Sequence, residues 1–157
     1  MTLVIEPVPY SGKSVMRRML ELYLYDFSEF THDDLDEHGE FGYRYLDHYW
    51  ATNPDDERFP FFIRVGGKIC GFALVRLKGG RYSMAEFFVM RAYRRGGIGS
   101  QAARAVFDRF PGDWDVWQLA SNLAAQAFWR KVVGDFSGGA FTELSDAQGV
   151  GQAFRSP

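Results

Sequence analysis

Near the start of the chain, apolar and polar residues alternate loosely along TLVIEPV, a β-branched run that predicts a first strand. The period then lengthens. Met16, Met19, Leu20, Tyr23, Leu24 and Phe27 recur at helical spacing and predict an amphipathic helix over roughly 12–28, with Ser11 or Ser14 as its cap. An acidic loop, THDDLDEHGE, follows. FGYRYLDHYW, with weak periodicity, predicts a second, shorter helix, and ATNPDDERFP is a turn-rich connector.

Three strand-like segments come next. PFFIRV and KICGFALVRL flank Gly66-Gly67, and Gly79-Gly80 leads into RYSMAEFFVM. Two-residue glycine loops join antiparallel neighbours, so the three segments form a meander. RAYRRGGIGSQAARAVFDRF is a loop entering a helix that stops before Pro111-Gly112. WDVWQLA is a further strand, and SNLAAQAFWRKVV is a helix capped by Ser121 or Asn122. FSGGAFTEL and VGQAFR are short final strands. The order β, α, α, β, β, β, α, β, α, β, β has no repeat and no linker, which describes one mixed α/β domain over residues 1–157.

Composition narrows the class. The chain has 157 residues, 46% hydrophobic and 24% charged, enough to bury a core without disulfides or structural metals. A net charge of −2 argues against a general nucleic-acid-binding role. Cys70 is the one cysteine, which excludes an internal disulfide and a thiolate zinc cage, and its apolar surroundings in KICGFAL make it a buried, inert thiol. His32, His38 and His48 lie near acids, but their spacing fits no ligand pattern such as H-E-x-x-H, so no metal is expected. No apolar run approaches the ~20 residues of a membrane span. The opening MTLVIEPVPY lacks the basic and apolar regions of a signal peptide, so cytoplasmic residence without membrane attachment is the expectation.

The most informative stretch is EFFVMRAYRRGGIGSQAARAVF, a strand running into Arg94-Arg95-Gly96-Gly97-Ile98-Gly99-Ser100 and then a helix. Glycines let backbone approach a ligand closely, and the first amides of a helix lack intrahelical acceptors and carry partial positive charge. Gly97, Gly99 and Ser100 would point amides at an anion while Arg94 and Arg95 add formal charge, which makes a phosphate or pyrophosphate cradle. Gly97-x-Gly99-x-x-Ala102 also fits a dinucleotide fingerprint. That reading needs parallel strands on both sides, however, and the strands here are hairpins. Ser11-Gly12-Lys13-Ser14 looks like the end of a P-loop, but Pro7 stands where the motif needs a glycine, and proline removes an amide donor.

A third reading of the cradle comes from a resemblance. Arg94 through Gly99 match the R/Q-x-x-G-x-G/A motif of the GNAT N-acetyltransferase superfamily, and Asn122-Leu-Ala-Ala125-Gln-Ala-Phe128-Trp129-Arg-Lys131 is similar to its N-x-x-A-x-x-F/L-Y-x-K helix. The element order also matches. The resemblance implies a mostly antiparallel, twisted sheet flanked by helices and splayed at the strand before the coenzyme-binding helix. It implies acetyl-CoA as co-substrate and an amine acceptor, with no metal; a homodimer is left open. By the same resemblance, main-chain groups of Phe88, Val89 and Met90 would bind the pantetheine arm and thioester. Amides from Arg95 through Gly96, Gly97, Ile98, Gly99 and Ser100 would hold the pyrophosphate, with Arg94 beside them. Asn122 would bond the pantetheine and Phe128 would pack on it. One position departs from the pattern: Trp129 stands where the family often has the tyrosine that protonates the leaving thiolate, and an indole N–H is a donor but not a usable acid. Tyr82 and Tyr93 are candidate substitutes.

An amine acceptor makes its own demand. With a pKa near 10.4, an alkylamine is neutral about one time in 2,500 at pH 7, so a base or a water path is useful. Glu86 shares a strand face with Phe88 and Met90 by period two; among aromatics its pKa would rise into a useful range for proton abstraction. The other reading of Glu86 is a glutamate on the solvent face of the strand. Asp33, Asp34, Asp36, Glu37 and Glu40 either attract a cationic amine or form a solvated loop. Tyr43, Tyr45, Tyr49 and Trp50 either line an acceptor pocket or pack the core. The expected function is direct acetyl transfer from acetyl-CoA to an amine of a small molecule or protein in a ternary complex. Glu86 would handle the amine proton and the Val89 N–H would polarise the thioester. The alternative is a non-catalytic acyl-CoA-binding module, for which Trp129 is the clue.

Overall fold

The computed structural model describes residues 2–157. Its strands are β1 (Leu3–Pro7), β2 (Asp56–Val65), β3 (Lys68–Lys78), β4 (Arg81–Val89), β5 (Gly112–Leu119), β6 (Thr142–Ser145) and β7 (Gly149–Ser156). Its helices are α1 (Lys13–Thr31), α2 (Ile98–Arg109) and α3 (Leu123–Ser137), with short 3-10 turns at Tyr10–Gly12, Leu46–Trp50 and Arg91–Tyr93. The strands form one sheet in the order β1-β2-β3-β4-β5-β7-β6, antiparallel throughout except for β4 beside β5. None of the described helices is long and apolar enough to cross a membrane.

The β2–β3–β4 meander turns where expected. Gly66, Gly67, Gly79 and Gly80 all have positive φ, as the tightest hairpin loops require. Several local expectations are corrected. Neither Ser11 nor Ser14 caps α1; its N-cap is Gly12, whose N–H bonds the Pro9 carbonyl at 2.8 Å inside the preceding 3-10 turn. FGYRYLDHYW contracts to the single turn Leu46–Trp50, because only Leu46 and Tyr49 of that turn find buried places. The connector ends early, since β2 already begins at Asp56, whose carboxylate binds Arg58 and Arg76. Phe136 and Ser137 belong to α3, which ends at a left-handed Gly138. Of the two candidate caps for α3, Asn122 is the one used: its side-chain oxygen accepts the Ala125 N–H at 3.0 Å.

The sheet buries a core on each face. Against α2 and α3 lie Ala73, Val75, Met84, Trp114, Val116 and Phe154, packed on Phe107, Trp129 and Val133. Against α1 lie Phe62, Phe72, Leu74 and Phe88, packed on Met16, Leu20 and Tyr23. A β-bulge in β4 sets which side chains go where. Leu74 pairs with Glu86 but Val75 pairs with Met84, leaving Ala85 as the extra residue. Met84 and Glu86 stand two apart and would ordinarily share a face. The bulge sends Met84 to the α2/α3 core and Glu86 to the α1 side.

The same strand opens the sheet. β4 pairs with β5 only over Arg81–Ser83 and Asp113–Asp115, and beyond these residues the two strands separate. A bulge adds local twist, which directs the end of β4 away from its parallel neighbour. On the far side of the gap, Gln126 of α3 holds the end of β5 by donating to the Leu119 and Ala120 carbonyls at 2.9 and 3.1 Å.

Candidate active site

A cleft of about 730 Å³ lies where β4 and β5 part. It is lined by Glu86, Phe88 and Val89 from β4, by Arg94, Arg95, Gly97, Gly99 and Ser100 from the loop and start of α2, and by Asn122, Phe128 and Trp129 from α3. Three expected site residues are not among those lining this cleft, although the Ile98 N–H stands at the start of α2. Met90 packs against the α1-side core, and its N–H donates to the Cys70 carbonyl at 2.7 Å. Ile98 packs with Val89 and Ala102 in a small cluster, and Gly96 is open to solvent.

The start of α2 has the form of an anion site. Gly97 is its N-cap with φ 80°, and Arg95 also adopts a left-handed φ of 69°, a conformation that costs a non-glycine residue of order 1 kcal/mol. The first closing hydrogen bond runs from the Gln101 N–H to the Gly97 carbonyl at 3.0 Å. The amides of Ile98, Gly99 and Ser100 precede it and have no intrahelical acceptor. Gly99 needs to be bare, because a Cβ there would stand 3.1 Å from the Phe128 ring. Arg94 is already engaged. Its Nε donates to the Val89 carbonyl at 2.7 Å and its terminal nitrogen lies 2.6 Å from Asp26, which also holds Arg91 at 2.5 Å. Burial raises the Asp26 carboxyl, but the two guanidiniums hold it below its ordinary value overall. Arg95 makes no ion pair among the described residues and stands at the rim of the cleft.

Strand alternation gives Val89 a free donor. The Met90 N–H faces β3, so the N–H one residue earlier faces the parted edge, where β5 offers no partner. Phe88 turns its ring onto Tyr23 and Phe72. Phe128 stacks on Phe87, and the cap bond to Asn122 Oδ1 leaves its side-chain N–H₂ free to donate. These features fit a ligand with a phosphorylated head at α2 and a long arm along β4.

At the α1 end of the cleft stands Glu86. Tyr23 donates to one carboxylate oxygen at 2.9 Å and Tyr43 to the other at 3.1 Å. Burial pushes its carboxyl up to about 7, against the two hydroxyls and the Arg58 charge, which pull it down. Burial first, and the carboxylate second, push the Tyr23 and Tyr43 phenols above their ordinary range. The Tyr49 hydroxyl lies nearby, buried and without a hydrogen-bond partner among the described residues, with Tyr43 and Arg58 as its polar neighbours.

Sequence reading missed Tyr23 and Asp26. Tyr23 sits on the apolar stripe of α1 and reads as core; the one signal is a hydroxyl where phenylalanine would pack as well. Of the four aromatics at 43–50, Tyr43 reaches the site, whereas Tyr49 is core and Trp50 donates to the Val8 carbonyl at 2.9 Å. The acidic loop stays out of the cleft. Asp36 bonds the His38 and Glu40 amides, and Glu40 pairs with Arg17. The loop is anchored by Glu21, which accepts the Phe41 and Gly42 N–H groups at 2.7 and 2.9 Å and so delivers Tyr43 to Glu86. Tyr82 is stacked on Trp114 and Tyr93 packs in the small cluster with Ile98, so neither lines the cleft. Trp129 is there instead, 7% exposed and held edge-on by Phe87 and Phe128.

The family model of the acetyltransferase (GNAT) family matches residues 16–134. An acetyltransferase from Thermus thermophilus superposes with a TM-score of 0.74 at 15% identity, covering 99% of this chain and 97% of that one. The ribosomal-protein-S18-alanine N-acetyltransferase of Escherichia coli gives 0.64 at 13% identity, over 99% and 94%. An N-acetyltransferase of Thermoplasma acidophilum, solved in complex with coenzyme A, gives 0.64 at 10%, over 99% of both chains. No curated protein matches the chain.

Proposed function

Because the chain belongs to the GNAT acetyltransferase family, we propose that it transfers an acetyl group from acetyl-CoA directly to an amine while both are bound in a ternary complex. The observation that carries this reading is Glu86, a carboxylate in aromatic surroundings at the mouth of a parted sheet, with no cation in contact and a pKa of about 7.

Bound acetyl-CoA supplies an activated thioester. The residues around it do the rest. Amides at Gly97, Ile98, Gly99 and Ser100 receive the diphosphate, and Phe128 and the Asn122 amide flank the arm. The Val89 N–H, without a ladder partner, is the donor for the thioester carbonyl oxygen as negative charge develops there. Glu86 accepts the ammonium proton, so that the amine attacks as the neutral species. Tyr23 and Tyr43 orient the carboxylate so that it stays aimed at the cleft. Tyr23, the phenol that lines the cleft with Trp129, is committed to Glu86, so water in the open cleft is the proton source for the departing thiolate.

One specific observation favours a second reading. Trp129 in place of an acid suits a module that binds acyl-CoA without turning it over. Release of coenzyme A thiol upon addition of amines separates the two, and Cys70, fully buried, does not compete in a thiol assay. Amine-dependent thiol release by the native protein, lowered at least 100-fold in Glu86→Gln, is the expected outcome. Tight acetyl-CoA binding with no release across a panel of amines supports the binding module instead.

A further inference from the structure

Besides the residues assigned to the diphosphate and the arm, the cleft is lined by Trp117 of β5 and by aromatic residues of α1. Trp114 and Val116 of β5 are buried against α2 and α3, so alternation turns Trp117 to the opposite face, the one Glu86 occupies. In the β5–β7 ladder Trp117 is paired with Gly151, where an added Cβ would stand 2.8 and 3.0 Å from two carbons of the indole. The indole therefore rests directly on bare backbone, held from beneath. Its other side is open: Trp117 is 42% exposed, whereas Trp114 and Trp129 are buried. α1 contributes Tyr23, Phe27 and Phe30 to the lining of the same cleft.

The charges here are selective as well. Asp26 is neutralised by Arg91 and Arg94. Glu86 has neutral hydroxyls as its hydrogen-bond donors, feels Arg58 only at a distance, and keeps its capacity to receive a cation. Glu29 of α1 also lines the cleft, within Coulombic reach of Arg91. A half-open indole, the aromatic rings of α1 and the Glu86 carboxylate in one cleft are complementary to a flat apolar body carrying one positive charge.

We infer that the acceptor is an arylalkylamine: a primary amine joined by a short spacer to a planar ring, the ring lying on Trp117 and the amine facing Glu86. This substrate class rests on the acetyl-transfer reading for its chemistry, but the binding site stands without it. A linear amine, such as a lysine side chain offers, fills the same opening without covering the indole.

The test measures binding and turnover separately. The full chain, saturated with coenzyme A, is titrated calorimetrically with 2-phenylethylamine and with n-butylamine. The native protein is expected to bind the aryl amine at least tenfold more tightly. Trp117→Leu brings the ratio to within threefold, and Trp117→Phe, which keeps a ring, lies between. Acetyl-CoA-dependent thermal stabilisation of each variant reports that it is folded. Equal affinity of the two amines for the native protein, no binding of either, or an equal loss of both in Trp117→Leu each overturns the inference. Selective binding of the aryl amine without acetylation of either amine leaves the inference standing and removes the acetyl-transfer reading.

Discussion

Replacing Glu86 by glutamine is the most searching perturbation, because the geometry sets both its shape and its size. With a carboxyl pKa of about 7, Glu86 is about one-tenth ionised at pH 6 and about nine-tenths ionised at pH 8. An alkylamine acceptor of pKa near 10.4 is still the ammonium across this range and can hand its proton to the ionised carboxylate. On a logarithmic plot kcat/KM therefore rises with a slope of one below pH 7 and is level between about 7 and 10, whereas without the carboxylate only the scarce neutral amine reacts. Glu86→Gln is nearly isosteric; its one oxygen serves one tyrosine and its N–H₂ meets the other hydroxyl, which can accept. It should show a slope of one throughout and lie at least 100-fold below the native enzyme at pH 8.5. The assay is thiol release from acetyl-CoA at low amine concentration between pH 5.5 and 9. A native profile with a single slope across pH 7 would refute the assignment of Glu86 as the base. The same substitution has a stability signature of known sign. The folded carboxyl keeps its proton above 4.5, where the unfolded chain has lost it, so the folded state binds more protons between about 4.5 and 7. Native stability therefore falls as pH rises through that window, by about 3 kcal/mol at most, and Glu86→Gln, which has no such slope, should melt higher than the native protein at pH 8.

Other expectations follow from the same contacts. Tyr43→Phe removes a 3.1 Å hydrogen bond to the Glu86 carboxylate; a hydrogen bond to a charged group is worth roughly 1.5–3 kcal/mol, so the bend in the pH–rate profile should move up by about one unit or more. Gly99→Val places a branched Cβ 3.1 Å from the Phe128 ring; calorimetry should find acetyl-CoA binding weakened at least tenfold, and unchanged affinity would remove the cradle assignment. Phe107 is fully buried among Trp114, Phe136 and Phe154 with ring centroids at 5.0, 5.2 and 4.8 Å. Phe107→Ala should cost about 3–5 kcal/mol and lower Tm by roughly 10 °C in a thermal melt.

Much of the fold was legible because its signals are local. The helical spacing of Met16 to Phe27, the glycine pairs of the two hairpins and the Asn122 cap each act within a few residues, and each element formed within a few residues of its expected place. The glycine-rich start of α2 was legible for the same reason: helix-terminal amides and positive φ are properties of the segment itself. FGYRYLDHYW was overread, since an aromatic-rich segment without strong periodicity takes its conformation from the places its side chains find in the core.

What tertiary structure alone decided is the company each side chain keeps. Sequence placed Glu86 beside the cradle and left its environment open. The Ala85 bulge turned it toward α1, and residues 63 and 43 positions away in the chain brought it two hydroxyls. The arginines were legible as charge, yet Arg94 is committed to Asp26 and to a carbonyl by a helix that precedes it by more than sixty residues. Trp117 was one aromatic in a strand until β7 set a glycine beneath it. Spacing along the chain determines backbone conformation, because the forces that set φ and ψ act over a few residues. Burial, pairing and pKa depend on groups that meet only when distant segments pack, and no local pattern encodes them.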